Sequence, residues 1–409
     1  MKTGRVALFL LFFLSSLAGG AWGAKFNVKS SMSVQEQYND NIFLTEKNKT
    51  SDFITTALPH LDLKYKTPFW KWNAAYTMTY QHYADGTVSD NFWHNLNVTN
   101  RLEPIRGFFY IDTTEQYTRT SLSLTRNYAQ VSPFVNQTDT NDFTVTPHFK
   151  LRPWAGGSVD LGYTYTNLWY KSALATGKQE NEVYAEAKDQ VTRNLGLTAG
   201  GDYLVDHNNI EDYHEADMHA GLRYRYALNS HIFIGGGDGI LTFRNSGTSN
   251  QPFWDAGINR WFAAFTMTLE TSSQFFDDPT NIADRVDTYS LSVASHSART
   301  PLTLSLGLSD YRDIRTRTLQ TVSYWVTGAL SHKFTPAFTG SASLTAQRFE
   351  DKTVDSYTNR ILPGFGLEYT LSRVFNLTLN YLYIYSHSPI LARDRYLDNQ
   401  LTAGITARF

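Results

Sequence analysis

The sequence predicts an all-β protein, a transmembrane antiparallel up-and-down β-barrel of about twenty strands. Three observations carry that reading. Apolar and polar residues alternate along run after run of residues 24–409, which is the period of a strand with two unlike faces. Short turns alternate with longer polar loops between these runs. After Gly23 no stretch approaches the roughly 20 consecutive apolar residues of a membrane helix, so a membrane-embedded form has to be a closed sheet.

Composition narrows the classes. The 409 residues carry a formal charge of -2 with no basic run, which excludes nucleic acid as an expected partner because phosphate binding needs a basic stripe. Aromatic residues make up 15 % of the chain, as 25 Tyr, 26 Phe and 9 Trp, and such aromatic-rich, Thr-rich sequence favours sheet. Cysteine is absent, so no disulfide framework is available and stability must come from something else, such as a closed hydrogen-bonded sheet.

Residues 1–23 stand apart. Lys2 and Arg5 precede a short apolar run from Val6 to Leu17, and Ala21-Trp22-Gly23 supplies small residues for cleavage. This pattern predicts a secretory signal peptide, with the barrel formed by residues 24–409 and located in the outer membrane.

Along the chain, "FTVTPHFKL" places Phe143, Val145, Pro147, Phe149 and Leu151 opposite Thr144, Thr146, His148 and Lys150. "SVDLGYTYT" and "NLTLNYLYIY" repeat the pattern. Short turns are expected at 67–69, 103–107, 152–154, 192–194, 228–230, 259–261, 297–300, 335–336 and 372–373. Longer loops are expected near 39–50, 84–90, 119–138, 171–179, 206–211, 244–251, 274–283, 312–318, 350–354 and 386–396. Nine turns and ten loops separate twenty strands, and an even count puts both termini at the periplasmic rim. The last stretch, "DNQLTAGITARF", alternates to Phe409 and is expected to pair with the strand beginning at Phe26. Two segments are weak, Phe253–Ile258 and Phe108–Tyr117, and losing them leaves eighteen strands as the alternative. Phe69, Trp70, Trp72, Trp154, Trp261, Phe262, Phe334, Phe338 and Phe375 flank the turns and predict a periplasmic aromatic girdle.

Twenty strands about 4.8 Å apart and tilted about 40° close at a backbone diameter of roughly 40 Å, too wide for side chains to fill. The polar parity should line this bore. It includes Arg101, Glu182, Glu186, Glu215, Asp217, Arg223 and Arg225, with acidic groups toward the outer end of one strand and arginines toward the periplasm. Such a divided field selects neither ion sign strongly, and simple pairing across neighbouring strands is the plainer reading of these charges. Trp93, Tyr184 and Trp325 are candidates for stacking on sugar rings or for filling space. The loop at 119–138 is long enough to fold inward.

Motifs for chemistry are lacking. His207 and His214 lie near Asp206, Glu211 and Asp212 without ligand spacing, "DDPTNIAD" (277–284) lacks the order of a calcium loop, and no phosphate loop occurs. No catalytic residue, metal or cofactor is therefore assigned, and a non-enzymatic barrel is expected.

The stretch "YNDNIFLTEKNKTSDFITTALPHLDLKY" (38–65) resembles the opening hairpin of the outer-membrane β-barrel porin family found beside exopolysaccharide and exosortase (PEP-CTERM) gene clusters. "NQTDTNDFTVTPHF" (136–149) resembles the second hairpin of that group, whereas "PFWDAGINRWFAAFTMTLE" follows it only loosely. The resemblance implies a channel taking part in polysaccharide export with a periplasmic export protein, and about eighteen strands. It transfers no site residues. The alternative function is a general diffusion or solute-uptake porin.

Overall fold

A computed structural model describes residues 24–122, 136–276, 279 and 284–409. The expected leader (1–23), most of the 119–138 loop and most of "DDPTNIAD" lie outside the described residues.

Twenty strands follow one another. They are β1 (Lys25–Asn39), β2 (Asp52–Lys66), β3 (Trp70–Tyr83), β4 (Asn91–Ile105) and β5 (Phe109–Ser121). Next come β6 (Gln137–Leu151), β7 (Gly157–Tyr170), β8 (Lys178–Gln190), β9 (Leu195–Asn208) and β10 (Tyr213–Ala227). Then β11 (Ser230–Phe243), β12 (Gly247–Trp261), β13 (Phe265–Phe276), β14 (Asp284–Ser295) and β15 (Leu302–Asp313). The last are β16 (Leu319–Lys333), β17 (Phe338–Asp351), β18 (Ser356–Thr370), β19 (Phe375–His387) and β20 (Tyr396–Arg408).

Every strand pairs antiparallel with its chain neighbours, and β1 pairs with β20, from Ser31 opposite Arg408 to Asn39 opposite Gln400. Phe409 and Ser30 exchange backbone hydrogen bonds beside this seam, N–H to O 2.8 and 3.3 Å. The sheet is thus a closed cylinder with the twenty-strand count. Eighteen is excluded, because both weak segments lie within full strands: Phe253–Ile258 inside β12, and Phe108–Tyr117 mostly inside β5.

Residues opposite one another share a face, so the register fixes which parity points inward. One face presents exposed Leu302, Leu304 and Leu306 on β15, Phe365 and Leu367 on β18, and Leu377 and Leu379 on β19. On the other face Thr, Ser, Asn and charged groups dominate. The apolar face is outward, matching a hydrocarbon solvent. Strands of 12 to 15 residues exceed the roughly 9–11 needed to cross it, so their ends project beyond the apolar band.

Two connections differ from expectation. The turn near 259–261 falls instead at 262–264, because Asn259, Arg260 and Trp261 continue the ladder against Thr268, Met267 and Thr266. The expected loop 244–251 shrinks to 244–246, since Gly247–Gln251 pair with β11. Polar residues there suggest a loop, but backbone pairing overrides side-chain polarity where a strand emerges from lipid. Tight turns rely on local chemistry: Asn229, at φ 52°, closes the two-residue turn between β10 and β11, and Gly107, at φ 73°, turns β4 into β5. Aromatic pairs cluster at this turn rim, including Phe262–Phe265 and Phe334–Phe338, with ring centroids 4.6 and 5.4 Å apart. Trp261 departs from the girdle. Its pairing with Thr266 gives it the inward parity, and it stacks on His296 at 5.2 Å.

Candidate functional site: the polar bore

All ten residues singled out as lining, Trp93, Arg101, Glu182, Tyr184, Glu186, Glu215, Asp217, Arg223, Arg225 and Trp325, fall on the inward parity. The register shows it: Tyr184 on β8 faces Asp202 on β9, which faces Asp217 on β10, while Arg101 on β4 faces Asp112 on β5. They do not form one site. β4, β8–β10 and β16 are separate stretches of the sheet, and of these residues only Arg101 and Tyr184 are linked from one stretch to another, through a shared network of side chains.

A polar belt crosses β4 to β8. Arg101 donates from Nε and Nη2 to the two oxygens of Asp112, at 2.7 and 2.5 Å. His148 sits between two carboxylates, Nε2 3.3 Å from Asp112 and Nδ1 2.7 Å from Asp160. The Tyr184 hydroxyl donates to Asp160 at 3.5 Å. Each link joins adjacent strands, so the belt fastens the sheet while presenting a charged surface to water. Here the reading of charges paired across neighbouring strands holds, whereas Lys188 and Glu186, 2.7 Å apart, pair within β8 itself.

The acidic sector on β8–β10 is different. Glu182, Asp202, Glu215 and Asp217 form no ion pair among the described residues, and Lys178 at the loop end is held by Glu180 at 2.5 Å and Asp206 at 4.0 Å. Glu215 and Asp217 lean over Gly239, where an added Cβ would come within 3.4 Å of both carboxylates. A side chain at 239 would evict one of them. Nearer the turn rim the same face of β10 carries Arg223, 5.5 Å from the Phe233 ring, and Arg225. Acidic and basic zones therefore succeed one another along one strand.

The two tryptophans occupy unlike surroundings. Arg119, itself bonded to Asp139 at 2.9 Å, lies 4.8 Å over the Trp93 ring. Trp325 rests against β15 at Gly307, where a Cβ would meet its Cζ2 at 2.6 Å.

The loops hold what sequence reasoning missed. The 40–51 loop folds into the bore, burying Ile42 against Ile54 and Tyr83, and Leu44 against Leu362, Ile384 and Tyr396. In the 314–318 loop, Ile314 is 1 % exposed and packs on Tyr213, Leu241 and Phe243. Its carbonyl accepts from Ser249 Oγ at 3.2 Å and Gln251 Nε2 at 2.9 Å. This strap starts at β15 and reaches β10–β12. Across the mouth, Thr176 donates its N–H to the Pro279 carbonyl at 2.7 Å, joining the β7–β8 and β13–β14 loops. An isolated Ile or Leu in a polar loop is the only signal the sequence offers for such inward anchoring.

Glu211, in the loop 209–212, ties this rim together. It accepts from the backbone N–H of Asn245, from that of Ser246 at 2.8 Å, and from Ser246 Oγ at 2.5 Å. The Ser246 hydroxyl and these amides, opposed by burial and aided by Arg315, hold its carboxyl below the usual glutamate range. A depressed native pKa means stability that is full above the ordinary glutamate range and is lost as pH falls through the native value. Wild type is therefore expected to unfold at higher temperature than Glu211→Gln at pH 7, with the difference vanishing in acid. A difference that grows toward low pH contradicts the clamp.

His207 Nδ1 lies 3.4 Å from Asp212, and His214 stacks on Tyr203 at 6.1 Å. Among the described residues, no group of three or more His or acidic side chains has metal-holding geometry.

No protein-family model and no curated protein sequence matches the chain. Solved structures do match in fold. The siderophore receptor PirA from Pseudomonas aeruginosa aligns over 94 % of this chain and 80 % of its own, with a TM-score of 0.52 and 11 % identity. A mutant of the ferric enterobactin receptor PfeA from the same organism aligns over 95 % and 81 %, with a TM-score of 0.54 and 8 % identity. The FrpB iron transporter from Neisseria meningitidis aligns over 97 % and 84 %, with a TM-score of 0.53 and 8 % identity. At these identities the likeness is one of architecture, that of an outer-membrane β-barrel.

Proposed function

We propose that the chain is an outer-membrane channel that carries hydrophilic cargo through its bore without covalent chemistry, and that the cargo is polysaccharide leaving the cell. The observation that carries the channel reading is the closed cylinder with an apolar outer face and a polar inner one, since only a barrel with a wet interior combines the two. Polysaccharide as cargo is supported by the resemblance of residues 38–65 and 136–149 to exopolysaccharide-associated barrels, and by a lining rich in hydroxyl and amide groups. In this reading residues 1–23 are cleaved, both termini face the periplasm, and a periplasmic export protein delivers the chain to the turn rim.

Uptake of a small solute is the second reading. The shared architecture with proteins described as siderophore receptors and an iron transporter favours it, as do loops folded over the mouth. Planar-bilayer recording separates the two. Export of saccharide predicts ion conductance interrupted by long blocks when oligosaccharide is added on the turn-rim side. Ohmic current indifferent to saccharide contradicts the saccharide path, and absence of current from folded protein contradicts the channel itself.

A further inference from the structure

On the inner wall of β15 to β19 the inward positions between Arg360 at the loop end and Glu368 and Lys333 at the turn end carry no charge. A depression of about 430 Å³ opens there, and its inward-facing lining includes Thr303, Ser331, Ser341, Ser343 and Asn380, with Gly364 and Gly366 as floor. No charged side chain lines it. The glycines make the hollow: a Cβ at 364 would lie 2.6 Å from Ser343 Oγ, and one at 366 would lie 2.5 Å from Ser341 Oγ and 2.8 Å from Asn380 Oδ1. Side chains there would fill the trough and displace its polar groups.

The trough continues along β16 and β17 to an aromatic platform. Register pairs Ser331 with Ser341, Ala329 with Ser343, Thr327 with Thr345 and Trp325 with Gln347, all on the inward parity. At about 3.4 Å per residue the track from Ser331 to Trp325 is roughly 20 Å long. Among the described residues no side-chain hydrogen bond engages Thr327, Thr345, Ser343, Asn380 or the Trp325 indole, so these donors and acceptors are open to the bore. Among the described residues no cation or second ring covers Trp325, whereas the Trp93 ring lies beneath Arg119. Gly307 lets the indole settle on the wall.

An apolar ring face beside uncommitted hydroxyls and amides suits a ligand with apolar ring faces and hydroxyl edges. No cation lines the trough itself, which disfavours an anionic ligand there, as it would be desolvated without a counter-charge. We infer that Trp325 and this trough form a binding subsite for an uncharged saccharide chain, stacked on the indole and hydrogen-bonded along β16–β18. The inference deepens the polysaccharide reading above and rests on it for the ligand class, but its test does not require conduction.

Equilibrium binding is measured on the full barrel folded in detergent, with folding verified by circular dichroism. Maltohexaose and cellohexaose serve as neutral probes, and an oligomer of galacturonate as the acidic one. At least one neutral probe is expected to bind, with the acidic probe several-fold weaker. Trp325→Ala is expected to weaken binding about tenfold, while Trp325→Phe retains most of it. Ser343→Leu, which lays an apolar branch over Gly364, is expected to weaken it as well. Tyr324→Ala, one residue away on the outward face, should leave binding unchanged. Failure of folded wild type to bind either neutral probe, equal affinity in Trp325→Ala, or tighter binding of the acidic probe each overturns the subsite. Binding without bilayer conductance would retain the subsite and remove the channel reading.

Discussion

Deleting Tyr396–Phe409 is expected to abolish the folded barrel. β20 is bonded to β19 from Phe375 to Ser386 and to β1 from Ser31 to Asn39, so its loss leaves two open edges in hydrocarbon. Each unsatisfied backbone group there costs several kcal/mol, and a handful exceeds the about 5–15 kcal/mol by which whole proteins are stable. A milder probe is Ile405→Arg. Ile405 faces outward between Val34 and Leu377, and an arginine on the lipid face costs about 2–4 kcal/mol at the bilayer midplane and less toward the interface, where the neighbouring girdle residue Phe375 lies. Folding into lipid vesicles, followed by circular dichroism and urea unfolding, reads both effects. A truncated chain that still folds as a monomer with native sheet content would show that closure through β20 is dispensable. The polar latch at the loop end of this seam adds to it: Asp40 accepts from the Asn399 N–H and Nδ2, each at 2.7 Å, and Asn41 Nδ2 donates to the carbonyls of Thr45 and Leu397 at 2.8 Å.

Ile314→Asp should open the mouth. Ile314 is buried among Tyr213, Leu241 and Phe243, and the removal of such a side chain alone costs about 2–5 kcal/mol. A carboxylate in that place also carries a desolvation penalty. The strap then leaves the wall, and with it go the bonds from Ser249 and Gln251 to its carbonyl. Single-channel conductance is expected to rise several-fold, with little change in barrel stability, because the twenty-strand ladder is untouched. Conductance equal to wild type would mean that the strap does not narrow the path. Ile314→Val, which keeps the apolar anchor, should behave as wild type and separates release of the loop from unspecific damage.

The barrel was legible because its signal is local. Side chains on a strand alternate with period two, so "NLTLNYLYIY" reveals both faces of β19 without any knowledge of its neighbours. Short turns such as Leu228-Asn229 mark where it reverses. That same alternation puts the ten expected lining residues on the polar parity of their strands. It misplaced the β12–β13 turn because Asn259 and Arg260 look like turn residues, yet their backbone pairs on with β13. Loop polarity likewise concealed five paired residues at the start of β12.

The sequence by itself determined a closed cylinder with an apolar outer and a polar inner face, since alternation and turn spacing are properties of adjacent residues and an open edge is forbidden in hydrocarbon. Only the tertiary structure decided which charges are paired, which tryptophan is uncovered and which loops enter the bore. Arg119 reaches Trp93 only once β4 and β5 have paired, and Leu44 reaches Leu362 and Ile314 reaches Tyr213 only after the ring has closed. Such contacts join residues far apart in the chain and on unlike strands, and no periodicity within a polar loop records where its one apolar side chain will find a dry place.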